Sequence, residues 1–221
     1  MASYPCLGEI MGIFLGAGAA ILINCYADWA LGKDGRPSRI TRWLVVGVVM
    51  LVIGLRLQQY CDIALRCVIA LAMCAILVLI ATIDLYQRRI PNILLVWGGL
   101  LAATNVWSNP DLSWYAAGAG GLVGLALFAA ISLARRGALG AGDVKLACLI
   151  GAMTGFPAVL QALILGILAG GLVAAVLMIT RTRTGKQYIP YAPYLVTGAL
   201  ATLLCGSTIA QWYASAFRLG G

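Results

Sequence analysis

Residues 67–92 read Cys67-Val-Ile-Ala-Leu-Ala-Met-Cys-Ala-Ile-Leu-Val-Leu-Ile-Ala-Thr-Ile-Asp84-Leu-Tyr-Gln-Arg-Arg-Ile-Pro-Asn92. No charge interrupts the run between Arg66 and Asp84. A helix needs about 20 apolar residues to cross a hydrocarbon core, fewer where flanking side chains snorkel. The stretch therefore reads as a transmembrane span that stops at a carboxylate. Pro91 then disfavours helix at Ile90 and, with its preset φ, opens the next span.

Runs of the same kind recur on both sides. They predict about eight spans, at 8–30, 43–58, 63–86, 90–107, 113–134, 143–155, 158–180 and 189–206, of which the second and sixth are short. Composition agrees: 62% of the 221 residues are hydrophobic and 10% charged, where a soluble domain carries about a quarter charged. The expected fold is all-α, a polytopic membrane helix bundle. The longest hydrophilic segment, Leu31 to Arg42, is too short to fold alone, so residues 1–221 read as a single integral membrane domain. The first eleven residues carry no positive charge, and a basic cluster follows the first apolar run. This predicts an uncleaved first span with the N-terminus outside.

With that orientation Lys33, Arg36, Arg39, Arg42, Arg88, Arg89, Arg135, Arg136, Lys145, Arg181, Arg183 and Lys186 all fall inside, and only Arg56, Arg66 and Arg218 outside. Dropping or adding one span would scramble this asymmetry, which favours the even count. The net charge of +8 is thereby assigned to topology and to anionic headgroups at the inner face, and no nucleic-acid partner is expected. Tryptophans bracket the loops: Trp29 and Trp43 the first inner one, Trp107 and Trp114 the outer one, with Trp212 beyond the last span. Gly120xxxGly124 and Gly166xxxGly170 are read as helix-packing positions. The seven cysteines contain no CxxC pair and histidine is absent. Neither a metal site nor a cofactor is expected.

Among seven acidic residues, Glu9, Asp28, Asp34, Asp62 and Asp111 fall at loops or boundaries, where solvated or interfacial charge is the default reading. Asp84 and Asp143 stand at the inner edges of spans. Asp143 follows the turn Gly140-Ala-Gly142, where glycine permits close approach and unusual backbone angles. Each aspartate alone has a plain explanation: Asp84 can pair with Arg88 at i+4, and Asp143 can sit favourably at its helix N-terminus. Together, two carboxylates at one membrane depth on different helices can form an aspartyl dyad. One is ionised to activate water, and the other is protonated to donate to the scissile carbonyl. Like charges sharing a site resist double ionisation, which supplies the proton difference. The helix dipole suits Asp143 to the base and Asp84 to the acid, with Arg88 opposing the latter.

These surroundings resemble the type IV prepilin peptidases, bacterial members of the GxGD class of membrane aspartyl proteases. The family pattern is an aspartate shortly before Ile-Pro-Asp/Asn, then GxGD-[VLG]-K one hairpin later. Here the two segments read Asp84-Leu-Tyr-Gln-Arg-Arg-Ile-Pro-Asn92 and Gly140-Ala-Gly-Asp-Val-Lys145. Ile189-Pro190-Tyr191-Ala192-Pro193-Tyr194 is similar to the family's proline-containing entry to the final span. The resemblance covers a peptidase core at about 75–206. It implies a multi-pass endopeptidase of the bacterial cytoplasmic (inner) membrane that removes the short basic leader of prepilins or pseudopilins at the cytoplasmic face. The substrate's apolar helix would dock laterally. By the resemblance Asp84 and Asp143 are the catalytic pair, and Pro91, Asn92, Gly140, Gly142, Lys145, Pro190 and Pro193 shape the site.

The chain departs from the family between its first two spans. Many members carry there a domain with two zinc-binding CxxC pairs, and also N-methylate the new terminus. Leu31 to Arg42 holds no cysteine, so neither a soluble zinc-binding domain nor methyltransferase activity is carried over. Presenilin-like proteases place a tyrosine before the first aspartate and a Pro-Ala-Leu motif late; here Ile83 and Pro190-Tyr-Ala-Pro stand instead. A proton-coupled transporter with the two acids as relay sites is the alternative from another class. Its acids would belong near the midplane of a repeated fold, and no repeat is found. A third reading is a pseudo-enzyme serving in pilus or secretion assembly, against which both aspartates stand.

Overall fold

Without water in a bilayer, backbone polar groups must be satisfied within the segment itself, which favours helices for apolar runs. In the computed structural model, residues 16–28, 39–58, 64–134, 140–180 and 190–218 are described, and every regular element among them is an α-helix. They are α1 (16–28), α2 (Arg39–Gln58), α3 (Ala64–Gln87), α4 (Asn92–Ser108), α5 (Trp114–Ala134), α6 (Ala141–Thr154), α7 (Ala158–Ile179) and α8 (Ala192–Arg218). The bounds of the expected spans and of the helices coincide to within a few residues from α2 to α7. α8 starts at Ala192, three residues later than the hydropathy run, and continues past it. Glu9, Trp29, Lys33, Asp34, Arg36, Asp62, Arg135, Arg136, Arg181, Arg183 and Lys186 lie outside the described residues.

Among the described residues three helices are long and apolar enough to cross a membrane, at Leu65–Gln87, Trp114–Ala134 and Ala158–Val176, and Asn92–Ser108 and Ala192–Gly206 are shorter apolar helices. Large hydrophobic side chains cover their outer faces: Leu122, Leu168 and Leu172 are all more than 60% exposed. That is a lipid-facing surface, and the fold is a membrane helix bundle. α6 is the exception in length. Its 14 residues rise about 21 Å, short of the ~30 Å hydrocarbon core. Its Leu146, Ala147, Leu149, Ile150 and Met153 are buried within the protein.

The chain divides into two compact units, Met1–Leu112 and Ser113–Gly221. In the first, α2 buries Val46, Met50, Ile53 and Leu57, and α4 buries Leu94, Gly98, Ala102 and Val106, each at helical spacing. α3 contributes Met73, Cys74, Leu77, Ile80 and Ile83, all at most 1% exposed. Arg66 Nε donates to the Ser108 carbonyl at 2.9 Å, placing a cation on one of the open carbonyls that end α4.

Asp28 corrects the expectation of solvated or interfacial charge, and its partner is Arg42. Both lie on helices, and they form an ion pair with the Arg42 guanidinium 5.6 Å from the centre of the Tyr86 ring. Arg42 is buried. Removing one partner of a buried pair costs about 3–5 kcal/mol, because it strands the other charge. Asp28→Asn should therefore lower the thermal midpoint in detergent, and Asp28→Asn combined with Arg42→Met should recover most of the loss. Equal midpoints for wild type and Asp28→Asn would show that the pair contributes nothing.

In the second unit glycine sets the helix contacts. A Cβ on Gly120, Gly124 or Gly151 would run into facing backbone between α5 and α6: Gly120 meets Gly155 at 2.8 Å, Gly124 meets Ala147 at 2.9 Å and Gly151 meets Gly121 at 2.9 Å. Between α7 and α8, Gly198 meets the amide of Gly166 at 2.5 Å. Both GxxxG stretches thus act in packing, as read from the sequence, and each faces a glycine the pattern did not reveal. Gly155, at φ 73, ends α6, and the next amide, Phe156 N–H, donates to the Ala116 carbonyl at 2.9 Å. The α6–α7 turn is thereby tied to the start of α5.

Candidate active site

Asp84 stands in the last turn of α3 and is 4% exposed. The amide of Arg88 donates to the Asp84 carbonyl at 2.8 Å, and Arg88 takes φ 54. This is the left-handed cap in which one bond closes the helix end. Two residues earlier the Thr82 hydroxyl donates to the Val78 carbonyl at 2.8 Å, so this polar neighbour satisfies itself locally. Two residues after Asp84, Tyr86 carries the Arg42 guanidinium. The chain then passes exposed Arg88 and Arg89 to Pro91, which precedes α4 at φ −65 and accepts at its carbonyl from Leu94 N–H at 3.1 Å. Asn92 is the first residue of α4.

Asp143 stands in the first turn of α6 and is 3% exposed. Its amide donates to the Gly140 carbonyl at 3.0 Å, and its Oδ2 accepts from the Gly140 amide at 3.2 Å. The carboxylate thus satisfies a backbone donor just ahead of the helix, the reach-back half of a capping box. The positive end of the helix dipole favours its anion. Gly140 itself sits at φ −75 and ψ 150, angles open to any residue. Contrary to the sequence reading, its conformation does not demand glycine. Gly142 is half-buried in the same turn of helix, and Lys145 is exposed.

Pro190 and Pro193 bracket the start of α8. Pro193 lies in the first turn, where its missing N–H is no loss. The Tyr191 carbonyl accepts from Tyr194 N–H at 3.2 Å and Leu195 N–H at 3.3 Å. The Tyr191 ring packs 6.1 Å from Phe128 and 6.3 Å from Tyr194, between ring centres. Tyr191 precedes the membrane helix α8. Burial pushes its phenol up from the ordinary value, and the Asp143 carboxylate pushes it the same way. The sequence reading quoted this residue within the proline segment and gave it no role.

Asp84 with Pro91 and Asn92 belongs to the first unit, and Asp143 with Gly140, Gly142, Lys145, Pro190 and Pro193 to the second. Among the described residues no three His, Cys, Asp or Glu side chains come together as a candidate metal centre.

What these features define is an all-helical membrane protein with two buried carboxylates, one closing a helix and one opening another. Residues 71–175, which contain both, match the model of the type IV leader peptidase family. The chain is 32% identical over 145 residues to the prepilin leader peptidase/N-methyltransferase of Bacillus subtilis (strain 168), covering 65% of this chain and 58% of that protein. It is 33% identical over 153 residues to the protein of the same name from Aeromonas hydrophila, covering 67% and 53%. For that from Legionella pneumophila the identity is 26% over 178 residues, covering 78% and 62%. The chain thus spans little more than half the length of the curated relatives it matches. No solved structure matches it.

Proposed function

We propose that the protein is a membrane aspartyl endopeptidase that removes the short basic leader of type IV prepilins or pseudopilins. The observation that carries this reading is the burial of Asp84 and Asp143, 4% and 3% exposed, at helix ends within the segment matched to the leader peptidase family. Ionisable groups buried in a membrane bundle are costly and are kept for function. In this reading Asp143, held at a helix N-terminus with a backbone N–H on its Oδ2, is the base that takes a proton from water. Asp84, in the last turn of its helix, keeps a proton and donates it to the scissile carbonyl. No covalent intermediate is needed. Pro91, Asn92, Gly140, Gly142, Lys145, Pro190 and Pro193 shape the two segments that present the acids.

The site works at the cytoplasmic face of the bacterial inner membrane, where the multi-pass bundle exposes its basic segments to anionic headgroups. The substrate's apolar helix supplies most of the affinity by docking in the bilayer, since a basic leader gains nothing from a basic face. The proposal needs neither metal nor cofactor and includes no nucleic acid.

Co-expression with a substrate carrying a short basic leader before an apolar helix tests the reading. Intact mass should show loss of the leader alone, with a new terminus immediately before the apolar segment and no added methyl group. The relatives' names include N-methyltransferase, but the cysteine-free segment 31–42 gives no reason to extend that activity here. A methylated product would overturn this part of the proposal. Proton flux without cleavage would favour a transporter.

A further inference from the structure

We propose that Arg42 and Tyr86 are positioning residues for Asp84: the guanidinium, held by Asp28, grips the last turn of α3 from the side opposite the acid. This inference rests on the reading of Asp84 as the catalytic acid.

The clamp is built from three helices of one unit: Asp28 on α1, Arg42 on α2 and Tyr86 on α3. Arg42 pairs with Asp28, and its Cζ lies 5.6 Å from the Tyr86 ring centre. That is inside the ~6 Å within which a ring face attracts a cation. The Arg42 Nε is buried and finds no hydrogen-bond partner among the described residues. A buried donor without an acceptor is costly, so the guanidinium depends on the ring face for what no oxygen supplies.

Side chains two residues apart on a helix leave it about 200° apart. Asp84 continues the stripe of Met73, Leu77 and Ile80, spaced four, three and four residues along α3, each of the three at most 1% exposed. Tyr86 leaves from the other side, so Arg42 fixes the turn without occupying the face that the acid uses. The turn needs holding, because helix ends otherwise fray. Arg88 closes it at φ 54, a conformation that a residue other than glycine keeps only where its surroundings impose it. Pro91 follows three residues later and stops α3 from running on.

Tyr86→Leu removes the ring face and Tyr86→Phe keeps it. The expected result for Tyr86→Leu is a kcat lowered about tenfold to hundredfold with KM little changed, and for Tyr86→Phe cleavage close to wild type. Asp28→Asn combined with Arg42→Met leaves no stranded charge and recovers most of the thermal midpoint. Its kcat should stay low all the same, because no cation grips the ring. Position is read directly by alkylating the thiol introduced by Asp84→Cys, followed at that site by peptide mass because the chain has seven cysteines of its own. Adding Tyr86→Leu should speed this labelling about tenfold by opening the helix end. Adding Tyr86→Phe should not, nor should Leu57→Ala, which removes buried packing at the other end of α2. Labelling unchanged by Tyr86→Leu, full cleavage by Tyr86→Leu, or a kcat that returns with the midpoint in the double variant overturns the inference. Asp84→Asn is run alongside. If it cleaves normally, the reading of Asp84 as the acid fails. If it is inactive while Tyr86→Leu labels and cleaves as Tyr86→Phe does, only the clamp fails.

Discussion

Gly151→Ala is expected to destabilise the protein, although alanine is the better helix former. Helix propensity alone would favour the change by up to about 1 kcal/mol. Against this, the new methyl would collide with the Gly120 carbonyl and lie 2.9 Å from the Gly121 amide. Those atoms are backbone and cannot turn aside, so α5 and α6 must separate. Overpacking of this kind costs about 1–3 kcal/mol and sometimes more, which outweighs the propensity gain. Gly151→Leu should be worse still. Gly118→Ala on α5 and Gly99→Ala on α4 are the controls, since a Cβ at either meets nothing within 4 Å. Thermal midpoints in detergent should fall for Gly151→Ala and hold or rise for the controls. If Gly151→Ala matches Gly118→Ala, the close approach of the two helices is wrong. Because α6 carries Asp143, lost packing here should reduce activity as well.

Much of this architecture was legible in the chain because a bilayer imposes a length on apolar runs. The hydropathy runs predicted α3, α5 and α7 nearly to the residue. The end of α3 was legible for a different reason: Pro91 fixes where the next helix can begin. The packing role of Gly120xxxGly124 was also readable, since small residues four apart make a flat helix face. Its partner Gly151 was not, because a lone glycine in an apolar run carries no periodic signal. The pairing of Asp28, read as solvated or interfacial charge, with Arg42 was not legible, because a sequence does not say which distant charge closes on which. The late start of α8 has its own cause: hydropathy counts Pro190 and Tyr191 within the apolar run, but both precede the helix. Asp84 and Asp143 could be picked out because so few acids compete with them. That Gly140 takes ordinary angles needed the three-dimensional placement.

Asp84→Asn and Asp143→Asn should each abolish most cleavage, by about 10²–10⁴-fold. Asparagine matches aspartate in size, so the helix end and its cap can persist. It cannot exchange a proton, and at Asp143 it cannot serve as the base that activates water. Because both acids act on one peptide bond in this account, the double variant should be little worse than either single one. A pair of independent structural charges would give losses that multiply. The most direct test is cleavage of one prepilin-like substrate in membranes holding wild type, Asp84→Asn or Asp143→Asn at matched expression. The account predicts cleavage by wild type and the loss of nearly all of it in both variants; normal cleavage by either variant would contradict it.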